Sequence, residues 1–369
     1  RDLNNNPRNP VIAERSFGAD PAQATTLALA WMAGSESEGV ACCVKHFPGH
    51  GDTHVDSHRD LPTVNKPLAE LERFEFAPFR AAAPHAPAVM TAHIVYPALD
   101  ADHPATMSRA ILHDLLRARW GYEGVIITDG MDMHAIAHRY GAGEAAVNAL
   151  VAGADMVMAI GSRATQEETI AAIAAAIADG RLPLHEVHAR LARLDGLAHA
   201  HPAATVPYAT EDADRALMAQ AWRRALTARG NPHRPAPRAR VRLVARQDVV
   251  SDGVSEAGVP AGAIAAMLQR LFDVDLVTFA DAEAFDWNAL PDDGRFTILA
   301  STSRRRYGPH ARATWTPDLH LALWNPYQAL DFAAPALLTY GFAPPALDAV
   351  RAWLAGAAEA HGHCPVPGF

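Results

Sequence analysis

Four short, largely apolar runs set the first constraint on this chain: residues 39–44, 88–95, 124–129 and 154–160. Stretches with helical spacing alternate with them, at 21–38, 67–83, 108–120, 143–152, 165–178 and 184–199. A strand apolar on both faces must be covered on both, and a helix between strands returns the chain for parallel pairing. Polar residues recur just after the strand C-termini, where a (β/α)8 barrel carries its site. The expected fold class is therefore α/β, with a (β/α)8 TIM-type barrel over residues 1–200. Such barrels run to about 250 residues, and only four complete strands are legible before His201. The barrel is thus expected to be N-terminally incomplete in this chain, with its first strands, and any signal peptide, upstream of Arg1.

A second α/β pattern covers residues 239–369, with strands at 241–245, 274–279, 296–300, 319–324 and 336–340 and helices at 261–272 and 345–357. It predicts a smaller α/β sandwich domain. Residues 201–238, rich in Pro, Ala and Arg around one helical segment, read as a linker. In this domain His310, Asp318 and His320 stand out without forming an obvious acid/base pair.

With 369 residues, 50% hydrophobic and 20% charged, the chain is long enough for two domains. A net charge of -9 offers no basic field, and the densest basic stretch, 234–246, is broken by Pro and Ala. A nucleic-acid partner is not expected. No apolar run reaches the roughly 20 residues of a membrane span. Three cysteines, two of them adjacent, are too few for a disulfide framework. Nothing demands an oxidising compartment, and a cytoplasmic location is the expectation. Oligomeric state is not legible.

The first strand leads into Lys45-His46-Phe47-Pro48-Gly49-His50-Gly51-Asp52-Thr53-His54-Val55-Asp56-Ser57-His58. So many ionisable groups cannot be buried in a core, and rigid loops of this kind carry chemistry. His46, His50, His54 and His58 recur every four residues, as zinc ligands on a helix would. Pro48, Gly49 and Gly51 argue against a continuous helix there, and no His-Glu-X-X-His or Cys cluster occurs. Neither a metal nor a cofactor is expected. No phosphate-cradling glycine motif is present, and Ser57 lacks a nucleophile elbow.

The Lys45–Gly51 run, Asp56-Ser57-His58 and Ile127-Thr128-Asp129-Gly130-Met131-Asp132-Met133 together resemble glycoside hydrolase family three, in particular its bacterial β-N-acetylglucosaminidase branch. Asn9-Pro10-Val11-Ile12 with Glu14-Arg15-Ser16-Phe17-Gly18 is similar to that branch's substrate loop, and Thr91-Ala92-His93 fits as well. The likeness is looser over the second domain, at Asn325-Pro326-Tyr327, Thr339-Tyr340-Gly341-Phe342 and Gly362-His363-Cys364-Pro365-Val366.

The resemblance implies an exo-acting, retaining hydrolase of terminal N-acetylglucosamine from peptidoglycan fragments or chito-oligosaccharides. Such chemistry needs a nucleophile and a proton donor. Asp129, closing an apolar strand, is the expected nucleophile; its alternative is a helix cap. Asp132 is expected to be solvated or capping. His58 is the expected acid/base, because imidazole titrates near neutrality, and Asp56 would orient it. Taken alone, the pair would read as polar loop residues facing water. Lys45 and His46 are implied to hydrogen-bond sugar hydroxyls, and Arg15 is a third sugar contact or else a surface ion pair. His93 either lines the pocket or is a satisfied core histidine. Two alternatives stay open: a phosphorylase, since a neutral histidine would not repel phosphate, and a non-catalytic sugar-binding fragment.

Overall fold

The computed structural model describes every residue except 1, 5, 7, 8, 10, 13, 14, 54–60, 204–209, 252–255 and 367. The chain divides into two units, Arg1–Thr205 and Val206–Phe369.

In the first unit the strands are β1 (Cys43–Phe47), β2 (Ala88–Thr91), a hairpin of β3 (Val95–Tyr96) and β4 (Asp100–Pro104), β5 (Val125–Gly130) and β6 (Met156–Met158). A four-stranded sheet has the order β1-β2-β5-β6 and is parallel throughout. Helices Leu68–Arg73 and Phe76–Ala82 carry the chain from β1 to β2, and Ala142–Ala152 from β5 to β6. This is the βα succession expected of the α/β class.

Local differences have local causes. β1 starts later than predicted and holds Lys45 and His46 within the strand rather than after it. The helix predicted over 67–83 breaks at Phe74 and Glu75, where Glu75 turns inward to meet Lys66 at 2.5 Å. The strand predicted over 88–95 stops at Thr91, because the chain turns into the β3–β4 hairpin. Residues 110–119 wind as a π-helix.

Beneath β1, Phe47 meets Phe79 and Trp120 edge-on, each at a centroid distance of 5.5 Å. Phe47 and Phe79 are buried and Trp120 is partly buried, and rings in this geometry fix the strand that presents His46. At the other end of the sheet Asp155 is buried, accepts from the Ile126 N–H at 2.8 Å and pairs with Arg117 and Arg193.

The second unit has β7 (Thr227–Arg229), β8 (Arg240–Arg246), β9 (Asp273–Phe279), β10 (Phe296–Ser301), β11 (Leu319–Ala322) and β12 (Ala336–Leu338), in the order β7-β12-β11-β10-β8-β9. Only β7 is antiparallel. Helices Ala261–Leu268 and Pro344–Leu354 pack with Leu243, Ile298 and Leu321, while Phe279, Trp287, Trp315 and Phe332 form a separate aromatic cluster. The result is an α/β sandwich.

The linker reading of 201–238 needs correction. Helix Glu211–Ala225 packs on Pro344–Leu354, and β7 pairs with β12 through Thr227↔Leu338. The helix buries no residue completely, and β7 has only three residues, so neither left an apolar signature in the sequence.

Candidate active site

Asp129 stands near the C-terminal end of β5, with its side chain 19% exposed. Its Oδ1 accepts from the Gly130 N–H at 2.9 Å. Burial alone would raise its pKa, but His46, His93, the Gly130 bond and Lys45 outweigh it and hold the carboxyl below the usual range. Asp129 does not cap the following helix, His134–Ala137, whose N-cap position is Met133.

His46 Nε2 lies 3.8 Å from Asp129 Oδ2. The other ring nitrogen, Nδ1, lies 2.8 Å from Asp2 Oδ2. Asp2 also accepts from the backbone N–H groups of His46 (3.0 Å) and His50 (2.6 Å). Burial opposes ionisation of Asp2, yet the histidines and these bonds drive its pKa far below the normal value. An ionised Asp2 can only accept, so His46 carries its proton on Nδ1 and, when neutral, turns a bare Nε2 towards Asp129.

Lys45 and His46 line the same cavity of about 120 Å³, together with Asp2, Ile12 and Arg15. Consecutive residues of a regular strand point to opposite faces, but the register between β1 and β2 shifts between Val44 and Phe47. The Lys45–His46 and Phe47–Pro48 peptide bonds are cis. The structure thus brings together Asp129, His46, Lys45 and Arg15 of the predicted residues. Asp56 and His58 lie outside the described residues.

The loop after β1 is clamped from several sides. Buried Asn9 donates to His50 O at 2.8 Å and Thr53 Oγ1 at 3.2 Å, while its Oδ1 accepts from the N–H groups of Val11 and Ile12. The predicted substrate loop is thereby tied to the histidine loop. Lys66 holds Asp52 at 2.8 Å, and the buried Tyr96 hydroxyl donates to Gly49 O. Gly51 rests on the first segment so closely that a Cβ would lie 1.2 Å from Leu3 O. Burial pushes the His50 imidazole down to about 4, so it is neutral at pH 7 and braces the loop through Thr53.

His93 is a satisfied interior histidine. Nε2 donates to Gly130 O at 2.9 Å and Nδ1 meets the Thr106 hydroxyl at 2.8 Å. It holds the backbone next to Asp129. Asp2 was missed in the sequence, where it reads only as a strand end before a turn-rich loop. The rule that singles out Asp129, an acid at the C-terminal end of a strand, would have found it. Among the described residues no group of three or more His, Cys, Asp or Glu could hold a metal ion.

A parallel βα sheet whose ionisable groups gather at the C-terminal end of its strands has the layout of the α/β-barrel class. Residues 1–197, more than half of the chain, match the glycosyl hydrolase family 3 N-terminal domain, and the chain belongs to that family. Beta-hexosaminidase A of Pseudoalteromonas piscicida is 36% identical over 272 residues, covering 69% of this chain and 43% of the relative. A beta-hexosaminidase of Tolumonas auensis is 41% identical over 156 residues, covering 42% and 46% respectively. The chain thus spans less than half the length of these curated relatives. The solved family 3 beta-N-acetylglucosaminidase of Paenibacillus sp. superposes with a TM-score of 0.88 at 29% identity, over 99% of this chain and 74% of that one.

Proposed function

We propose that this protein is a retaining exo-β-N-acetylglucosaminidase acting on peptidoglycan fragments or chito-oligosaccharides. The observation that carries the reading is Asp129: an ionised, partly exposed carboxylate at the end of β5, facing an imidazole that a second carboxylate orients. The names of the relatives and the family motif supply the substrate class.

In the proposed reaction an Asp129 oxygen bonds to the anomeric carbon as the glycosidic C–O bond breaks. His58, as imidazolium, gives its proton to the departing oxygen. Neutral His58 then takes a proton from water, whose oxygen displaces Asp129 and returns the sugar with retained configuration. Asp56 orients His58 and stabilises its charged form; the family motif alone supports both roles. A low Asp129 pKa suits a nucleophile, which must be ionised before it attacks. Arg15 and Lys45 are donors to sugar hydroxyls. Asp2 fixes the orientation of the His46 ring, so Nε2 is the atom it offers to a sugar hydroxyl.

The test is aryl alcohol release from an aryl β-N-acetylglucosaminide, with and without inorganic phosphate, with the first-formed anomer read by NMR. Phosphate-independent release of the β-anomer is expected. An α-anomer overturns retention, and strict dependence on phosphate with a sugar 1-phosphate product moves the assignment to phosphorolysis.

A further inference from the structure

The end of the first sheet opposite Asp129 contains a second cavity, of about 280 Å³. It sits beside the starts of β5 and β6, since Arg117 donates to Gly124 O and Arg190 to Ala154 O. Arg109, His113 and Arg117 come to it from the π-helix side, and Glu186, Arg190 and Arg193 from helix Leu184–Ala200.

Its charge is not balanced. Four guanidinium groups share two carboxylates, Asp155 and Glu186. Burial depresses the Arg117 guanidinium; Asp155 opposes this, while the like charges of Arg193 and Arg190 add to it. Arg190 is 8% exposed. Its Nε donates to Ala154 O (3.0 Å) and its Nη2 to Leu150 O (2.8 Å) and Glu186 (3.0 Å). Nη1 is buried and has no hydrogen-bond partner. A buried charged donor left unmade is costly. Arg109, at the rim, is exposed and makes no side-chain hydrogen bond or ion pair among the described residues. His113 is taken up by exposed Asp114 at 2.7 Å.

We propose that this cavity binds an oxyanion of the phosphate class, held between Arg109, Arg190 and Arg193. A guanidinium presents paired N–H groups whose spacing matches phosphate oxygens. An anion there would relieve the repulsion among the arginines. With about 30 Å³ per water molecule, 280 Å³ also has room for a small organic group carrying the phosphate.

The test is calorimetric titration of the full chain with inorganic phosphate and, separately, glycerol 3-phosphate, with ionic strength held constant by sodium chloride and glycerol as the neutral control. Saturable binding of one anion per chain is expected, with Kd raised about tenfold or more in Arg109→Gln, an exposed position that leaves the fold intact. Arg190→Lys keeps the charge and removes the paired donors, and is expected to weaken binding similarly; circular dichroism confirms that each variant is folded. Tighter binding of inorganic phosphate assigns the site to the free ion, and tighter binding of the ester to a phosphomonoester. No saturable binding of either anion at concentrations on the order of 10 mM, or a Kd unchanged in folded Arg109→Gln, overturns the proposal.

Discussion

Asp2 and His46 form a buried carboxylate–imidazole pair, 2.8 Å from Oδ2 to Nδ1, across 44 residues of sequence. Asp2→Asn removes the charge that selects the His46 tautomer and leaves one acceptor oxygen where the ring and two backbone N–H groups now use two. Breaking a buried pair of this kind costs about 3–5 kcal/mol, and kcat/KM is expected to fall at least about a hundredfold. Urea unfolding and steady-state kinetics check the two effects. The sign of the pH dependence is fixed: the folded pKa lies below the unfolded one, so the stabilisation is complete above about pH 4 and is lost only as pH falls through the folded value. Wild-type kinetics in Asp2→Asn would remove the orienting role.

Asp129→Asn keeps the shape of β5 and deletes the proposed nucleophile. Turnover is expected to drop by about 10⁴-fold or more, with an unchanged circular dichroism spectrum. Activity within a factor of ten of the parent would require another nucleophile.

His58→Ala tests the proposed proton donor by leaving group. Loss in kcat/KM should be small for dinitrophenyl glycosides, whose oxygen departs without a proton, and about 10²–10⁴-fold for alkyl glycosides. Equal loss for both classes contradicts an acid role. Asp56→Asn should shift the pH profile in the same series.

Gly51→Ala tests the contact between the histidine loop and the first segment. A methyl group 1.2 Å from Leu3 O forces the two backbones apart. Overpacking costs about 1–3 kcal/mol, and because Asp2 adjoins Leu3, KM should rise along with the lower Tm. A variant with parental Tm and KM would show that the contact is not needed.

His320 gives the second unit an acid-sensitive point. It is fully buried, and burial pushes its imidazole down to about 3. The unfolded chain binds a proton that the folded one refuses, so stability falls as pH drops from about 6.5 towards the folded pKa, by about 1.4 kcal/mol per pH unit. His320→Gln removes that slope. Denaturant unfolding at pH 7, 6 and 5 should show the difference between parent and variant shrinking with acid; parallel curves contradict it.

Much of the layout was legible because its signals are local. The runs around Val89 and Ile126 are apolar on both faces, and their alternation with helical segments marks them as buried parallel strands. Asp129 was legible as the first acid after such a run. Asp2 carries the same strand-end signal and was passed over, while its pairing with His46 and His50, 44 and 48 residues away, is encoded by no local pattern. Residues 227–229 were invisible as a strand because three residues carry no period. The turn of Glu75 towards Lys66, which breaks a predicted helix, follows from burial of a charge pair that only the folded chain creates.

The pairing of β7 with β12 decides where the molecule can be divided. A protease or a cloning boundary placed at residue 238, where the composition changes, would strip the outermost strand and its helix from the second unit. The backbone N–H and C=O groups of β12 would then lie uncovered, an invitation to self-association. A cut ahead of Val206 leaves that margin closed, so the seam of the chain lies near the start of the Pro-, Ala- and Arg-rich stretch and not at its end.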